Sequence, residues 1–175
     1  ATAAFDNVRI GPDALLGAAG EGAAILEAVF EEANAALAAE AVGIMSDTFD
    51  MTVDYLKTRQ QFGVPIGSFQ ALQHRAVDML IQLELARSMA ILAALSLDAE
   101  PEERRRNIAA AKVQIGRSGR FIGQQAVQLH GAIGITAEYK VGHAFKRLTA
   151  IDALFGDADH HIDVLADAGG LVSLT

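Results

Sequence analysis

From about Glu21 to Lys57, apolar residues recur every three or four positions: Leu26, Phe30, Ala33, Leu37, Ala41, Met45, Phe49, Val53 and Leu56. Carboxylates fill the opposite face, and the pattern predicts one long amphipathic helix. The polar stretch Arg59 to Ser68, with Gly63, Pro65 and Gly67, stops it. Ser68 can N-cap a second helix whose stripe is Leu72, Ala76, Met79, Leu83, Ala86 and Ala90, running to about Leu97. Pro101 suits the first turn of a third helix, with Glu102 and Glu103 at its positive end. Its stripe is Ile108, Ala111, Ile115, Ile122, Ala126 and Leu129. Two more helices follow, Ala137 to Leu154 and Asp159 to Asp167, split by Phe155-Gly156-Asp157. Helices joined by short connections predict an all-α, up-and-down four-helix-type bundle.

Residues 4–10 read differently. Their apolar–polar alternation, broken by Gly11-Pro12-Asp13, predicts a short strand. A lone strand cannot make a sheet, so residues 1–19 are expected to be the remnant of a β domain absent from this sequence, and residues 20–175 the helical domain. Gly116, Gly119 and Gly123 interrupt the third helix at a cost of roughly 1 kcal/mol each against alanine. Close approach by a neighbouring helix is the expected compensation.

Composition narrows the function. The 175 residues are 51% hydrophobic and 21% charged, as in a globular domain. A formal charge of -8 argues against nucleic acid and anionic membrane surfaces as partners. Cysteine is absent, which rules out thiol chemistry and is compatible with a cytoplasmic location. Apolar runs such as Met89 to Leu97 fall short of the roughly 20 residues a membrane span needs, so no membrane insertion is expected. The positive mean hydropathy, +0.26, predicts apolar surface left for association with other chains.

Several clusters carry candidate chemistry. Gln128-Leu129-His130-Gly131-Ala132-Ile133-Gly134 ends the third helix with closely placed glycines. It reads either as a helix cap or as a corner where a phosphate or flat ring could reach backbone N–H groups. Arg59-Gln60-Gln61-Phe62-Gly63 offers a planar cation, two amides and an aromatic ring, a set suited to a dinucleotide. The competing reading is a helix-terminal arginine and a phenylalanine plugging the bundle end. Asp157, Asp159, His160, His161 and Asp163 read as a solvated charged face rather than a metal site, because the spacing is not diagnostic and metal sites usually need ligands converging from more than one element. Arg104 to Arg106 reads likewise, with Glu102 available to Arg106. His130, beside the corner, reads as a residue capping carbonyls rather than a catalyst and is kept as a ligand-adjacent candidate. No nucleophile motif, Walker loop or dinucleotide fingerprint is present.

In this order, Phe5-Asp6-Asn7-Val8, Arg59-Gln60-Gln61-Phe62-Gly63, Gln70 and Gln128-Leu129-His130-Gly131 resemble the C-terminal helical domain of acyl-CoA dehydrogenases. The resemblance covers Phe5 to about Ala168. It implies an FAD-dependent α,β-desaturation of an acyl-CoA thioester: a carboxylate takes the α proton, and the β hydrogen leaves as hydride to the flavin. It also implies a homo- or hetero-oligomer, dimer or tetramer, in which this domain helps to hold a neighbouring subunit's FAD. Arg59, Gln61, Phe62, Gln70, Gln128 and Gly131 match the FAD-contacting positions. Lys112, His143 and Arg147 match basic positions of the family and are assigned structural roles.

The departures are specific. The glutamate base that many members carry after the corner falls on Gly156, and the one that a smaller group carries on the first helix falls on Ala33, followed by Asn34 where arginine is usual. Ala158 replaces a flavin-contacting threonine, and Ala132 the second glycine of a Gly-Gly pair. Asp157 is the nearest carboxylate to the first vacant position, one residue out of register. Glycine and alanine cannot accept a proton, so no catalytic residue is assigned and the isolated domain is expected to be inactive. Leu-Phe-Gly-Asp-Ala-Asp together with the corner resembles a group linked to heteromeric dehydrogenases of steroid side-chain breakdown, in which one subunit lacks the base. The contrasting readings are a helical oligomerisation module without flavin and, less favoured, a related flavin oxidase or monooxygenase.

Overall fold

The structure, a computed structural model, describes residues 2–169. Five α-helices make up most of it: α1 (Gly22–Thr58), α2 (Gln70–Leu95), α3 (Pro101–His130), α4 (Lys140–Ala153) and α5 (Ala158–Asp167). Helix α3 packs against each of the other four and so forms the axis of the bundle. Between α1 and α2 lies a small antiparallel hairpin, β1 (Gln60–Gln61) with β2 (Val64–Pro65), pairing Gln60 with Pro65 and Gln61 with Val64. Phe62 and Gly63 form its turn at φ of 55° and 81°. Two central residues at positive φ give the hairpin turn that matches the strand twist, and Phe62 adopts it without the freedom glycine has.

The main core joins Ala41, Met45 and Leu56 of α1, Met79, Leu83 and Ala86 of α2, Ile115, Ile122 and Ala126 of α3, and Val141, Leu148 and Ile151 of α4. On α1 the buried line is Asn34, Ala38, Ala41, Met45, Thr48, Thr52 and Leu56. The sequence pattern placed the stripe one face over at the helix start, where Leu26 and Phe30 are exposed. Bulk misled there: the buried positions of α1 are mainly alanines and threonines rather than its largest apolar side chains.

The glycines of α3 serve the expected close approach, and their partner is α4. A Cβ on Gly123 would lie 2.5 Å from the Phe145 ring, and one on Gly116 would overlap the Asp152 carboxylate. Gly119 is more relaxed, at 3.5 Å from Leu148.

Three local expectations are corrected. Ser68 is not the cap of α2: it lies in a 3₁₀ turn, and its hydroxyl donates to Pro65 O at 2.7 Å. Phe69 takes the N-cap position without a side-chain cap, and Gln73 Nε2 donates back to Gly67 O at 2.8 Å. The segment 4–10 forms no strand within this chain, since no neighbouring strand offers it a ladder. Arg104 does not belong to a purely solvated run: its Nε donates to Glu31 Oε2 of α1 at 2.6 Å in a half-buried ion pair.

Helix α2 changes the membrane argument. The stretch Gln70–Asp98 is apolar and long enough to cross a membrane by length and composition, with a window of mean hydropathy 1.5 that is only 22% buried. The expectation that no segment reaches that length counted uninterrupted runs and so missed it. Met79, Leu83, Ala86 and Ala93 point into the bundle. Val77, Ile81, Leu85, Ile91 and Leu95 form an exposed stripe on the other side. A helix apolar on both faces needs cover beyond this chain's own core.

Candidate functional site

One end of the bundle brings together two of the segments singled out by sequence. Arg59 closes α1, its N–H donating to Tyr55 O at 2.8 Å, and its carbonyl accepts from Ile66 N at 2.8 Å. These bonds fix the hairpin base. Gly67 tightens it, since a Cβ there would sit 2.9 Å from Leu56 O. The side chains above this base point away from the core: Arg59, Gln60, Gln61 and Phe62 are all exposed, Phe62 at 91%. Phe62 touches Phe69 edge-on at 6.2 Å, and Gln61 Nε2 donates only to Gln60 O. Arg59 takes part in no ion pair among the described residues. Phe62 is therefore not the plug of the bundle end that the competing reading required.

The corner after α3 lies at the same end. Tyr55, on the last turn of α1, stacks on His130 with ring centroids 4.5 Å apart, and Tyr139 approaches His130 from the other side at 5.1 Å. His130 is buried, with Nδ1 2.8 Å from Ala126 O. A carbonyl only accepts, so Nδ1 carries the proton. Burial lowers the imidazole pKa, which keeps the ring neutral between the two tyrosines. His130 thus joins the two segments, a role in keeping with the carbonyl contact expected of it.

Gly131 adopts φ 64° and ψ -141°, and its N–H donates to the Gln128 and Val127 carbonyls. That amide is consumed by the helix cap and cannot also hold an anion. What Gly131 leaves free is space, because a Cβ there would meet nothing within 4 Å. Gln128 and Gln70 are exposed. The six predicted FAD-contacting residues are thus all exposed, and they flank the hairpin and the corner. Tyr55 was missed by sequence reasoning; its only signal was an aromatic ring beside Leu56 at the end of the α1 stripe.

The other region of interest is the elbow between α4 and α5. Phe155 and Gly156 turn the chain at φ of 54° and 97°. A side chain on Gly156 would run into the His160 ring, its Cβ 3.0 Å from Cγ and 3.1 Å from Nε2. The space that a side chain at position 156 would take is therefore filled by an imidazole. Asp157 is no free substitute, since its Oδ1 accepts the His160 N–H at 2.9 Å as the N-cap of α5. That backbone hydrogen bond holds its pKa below the usual value. On α1, Ala33 is followed by buried Asn34, whose Oδ1 has no hydrogen-bond partner among the described residues.

His161 corrects the picture of a solvated histidine–aspartate face. It is buried, its Nε2 lies 3.2 Å from Phe155 O, and burial depresses its pKa to about 4. Among the described residues, no group of three or more histidines and carboxylates could hold a metal ion.

The basic positions have structural work to do. Lys112 is buried and donates from Nζ to the Ile151 and Asp152 carbonyls, at 2.6 and 3.1 Å. Arg147 forks onto Glu40 at 2.6 and 2.8 Å, and His143 Nε2 lies 2.7 Å from Ala137 O.

The fold is a helical bundle with an exposed arginine, glutamines and phenylalanine at one end. Residues 20–170 match the family described as "Acyl-CoA dehydrogenase, C-terminal domain". The chain belongs to this family. It is 31% identical to glutaryl-CoA dehydrogenase of Desulfococcus multivorans over 142 residues, which is 81% of this chain and 36% of that protein. It is 39% identical over 111 residues to the acyl-CoA dehydrogenase IpdE2 of Mycobacterium tuberculosis, covering 63% of this chain and 33% of that one. The solved glutaryl-coenzyme A dehydrogenase in complex with glutaryl-CoA superposes with a TM-score of 0.87 at 29% identity, over 97% of this chain and 43% of that one. A Tcur3481-Tcur3483 steroid ACAD variant superposes with a TM-score of 0.79 at 31% identity, over 84% of this chain and 40% of that one. The chain therefore spans about a third of the length of the curated relatives it matches.

Proposed function

We propose that the chain acts as the C-terminal helical domain of an FAD-dependent acyl-CoA dehydrogenase-like flavoprotein, desaturating an acyl-CoA thioester in the cytoplasm as part of a homo- or hetero-oligomer. Arg59, Gln61, Phe62, Gln70, Gln128 and Gly131 would hold the FAD: the guanidinium would suit its pyrophosphate, the amides its phosphates and ribose, the Phe62 ring its flat base, and Gly131 would leave it room. When bound, the flavin supplies the hydride acceptor. The observation that carries this reading is the cluster of exposed Arg59, Gln61 and Phe62, with Arg59 in no ion pair among the described residues, on a hairpin whose base is tightly fixed. An exposed aromatic ring and a free guanidinium on a rigid platform favour a planar, anionic ligand lying outside the bundle.

The chain is the non-catalytic member of its assembly. Gly156 and Ala33 bear no carboxylate, Asp157 is engaged as a helix cap, and Glu31 is paired with Arg104. A partner chain supplies the base. A second reading, an assembly module without flavin, is favoured by one feature, the exposed apolar stripe of α2.

Arg59→Ala in the intact assembly separates the two. Loss of a bidentate charge-assisted contact, roughly 1.5–3 kcal/mol, should weaken FAD retention by about tenfold or more while subunit association stays intact. Unchanged flavin content, together with dissociation on Ile81→Asp, would leave the assembly module as the better account.

A further inference from the structure

Arg59 and Gln128 stand at the ends of different helices, so one ligand can be held by both only if something fixes their separation. Tyr55 carries the hairpin, its carbonyl accepting the Arg59 N–H at 2.8 Å. Its ring stacks on His130, in the same last turn of α3 as Gln128, with centroids 4.5 Å apart and planes 28° apart. Tyr139, at the N-cap of α4, meets the imidazole at 5.1 Å and 52°. The corner folds back against the same residue: a Cβ on Gly134 would lie 3.1 Å from His130 Cβ. The end of α1, the end of α3, the corner and the start of α4 thus meet on one buried side chain.

The polar atoms of that side chain do not make the link. Nδ1 donates to Ala126 O within α3 itself, at 2.8 Å. Nε2 is buried and has no hydrogen-bond partner among the described residues. Neither nitrogen is open to a ligand, which sets a catalytic role aside. What crosses from helix to helix is the ring, through its stacked contact with Tyr55 and its tilted contact with Tyr139, both geometries in which aromatic pairs attract.

We propose that His130 is the positioning residue of the hairpin–corner site, its ring setting the separation of Arg59 and Gln128 at which a single dinucleotide engages both. The proposal rests on the reading of hairpin and corner as one FAD-binding surface. A separation fixed in advance spares the ligand the cost of ordering the two segments as it binds.

Two substitutions divide the ring from its hydrogen bond. His130→Asn keeps a donor for the Ala126 carbonyl and removes the ring, whereas His130→Phe keeps a ring and removes the donor. The sequence contains no cysteine, so cysteines introduced at exposed Gln60 and Ala132 take spin labels at those two positions alone. Electron–electron distance measurement on labelled chain diluted into unlabelled, flavin-free assembly should give one narrow distribution in the parent and in His130→Phe. The distribution should broaden in His130→Asn and in Tyr55→Leu, which leaves the His130–Ala126 bond in place. Titration with FAD should show affinity about tenfold weaker in these two variants, as for a ligand losing one of two holds, and within about twofold of the parent in His130→Phe. A residue that merely capped its own helix would give the opposite order. Narrow distributions in both His130→Asn and Tyr55→Leu, or a broadened one in His130→Phe, would overturn the proposal. Arg59→Ala keeps the two readings apart: unchanged FAD affinity there would defeat the FAD reading, while the distances, taken without flavin, decide the role of His130 on their own.

Discussion

The last turn of a helix leaves carbonyls without intrahelical partners. In α4 two of them, on Ile151 and Asp152, are met not by a cap but by the Lys112 ammonium reaching from α3 at 2.6 and 3.1 Å. Lys112→Met keeps most of the buried stem volume and removes both bonds. Bonds to a charged donor contribute roughly 1.5–3 kcal/mol each, and the variant also escapes the desolvation of a buried ammonium. A net loss of about 2–4 kcal/mol results, which for a chain of this size lowers Tm by roughly 5–15 °C. Thermal and urea unfolding followed by far-UV circular dichroism measures it, with exposed Lys146→Met as the control. A second signature is the pH dependence. Burial lowers the folded-state pKa of Lys112 below 10.5, against the opposing pull of Asp152 and Asp157. The unfolded chain therefore binds more protons between that lowered value and 10.5, and stability rises with pH across this window. The variant lacks this rise. A variant within 0.5 kcal/mol of the parent, or more stable than it, would refute the view that Lys112 serves as the cap of α4.

Two further outcomes are expected. Gly119→Ala should stabilise by up to about 1 kcal/mol, because its Cβ meets Leu148 at ordinary contact distance and helix propensity improves, whereas Gly116→Ala should destabilise by about 1–3 kcal/mol through overlap with Asp152; denaturant midpoints of the two variants decide it. The buried His161, facing Lys112, His160 and Asp157, has its pKa depressed from 6.5 to about 4. The unfolded chain takes up a proton that the folded one refuses, so stability present above pH 6.5 is lost as pH falls to about 4. The loss is up to about 3 kcal/mol, visible as a pH slope in urea midpoints that His161→Phe should flatten.

The helices were legible because their signals are local. Pro101 opens α3 as its N1 position requires, and α3 ends at His130 because Gly131 takes the positive φ that closes the cap. The burial of Asn34, Lys112 and His161 was not legible. Each is polar at a position whose neighbours in sequence are unremarkable, and each is buried by an element far along the chain. Lys112 meets α4 and Arg104 meets Glu31 across distances no periodicity encodes. The same limit explains the α1 stripe: pattern reading weighted Leu26 and Phe30 for bulk, whereas the buried line runs through Ala38, Thr48 and Thr52. Among the candidate site residues, Arg59, Gln61, Phe62 and Gln128 could be picked out from residue chemistry and order. That the hairpin and the corner share one end could not, because the Tyr55–His130 stack joins residues far apart in the chain.

The distribution of unmet surface divides the molecule in two. Polar groups within the fold are mostly engaged: buried Lys112 on α4 and, at the surface, Arg147 on Glu40 and Asp157 on the start of α5. At the surface, two of the regions left uncovered are the arginine–glutamine–phenylalanine platform of the hairpin and the apolar stripe of α2 from Val77 to Leu95. The two need different kinds of cover. An exposed guanidinium is comfortable in water, so the hairpin need only meet a ligand when one is present. A stripe of valine, leucine and isoleucine is not, and exposing it continuously invites association. The α2 face should therefore be covered whether or not the hairpin is engaged, which makes assembly the prior event and ligand contact at the hairpin the later one.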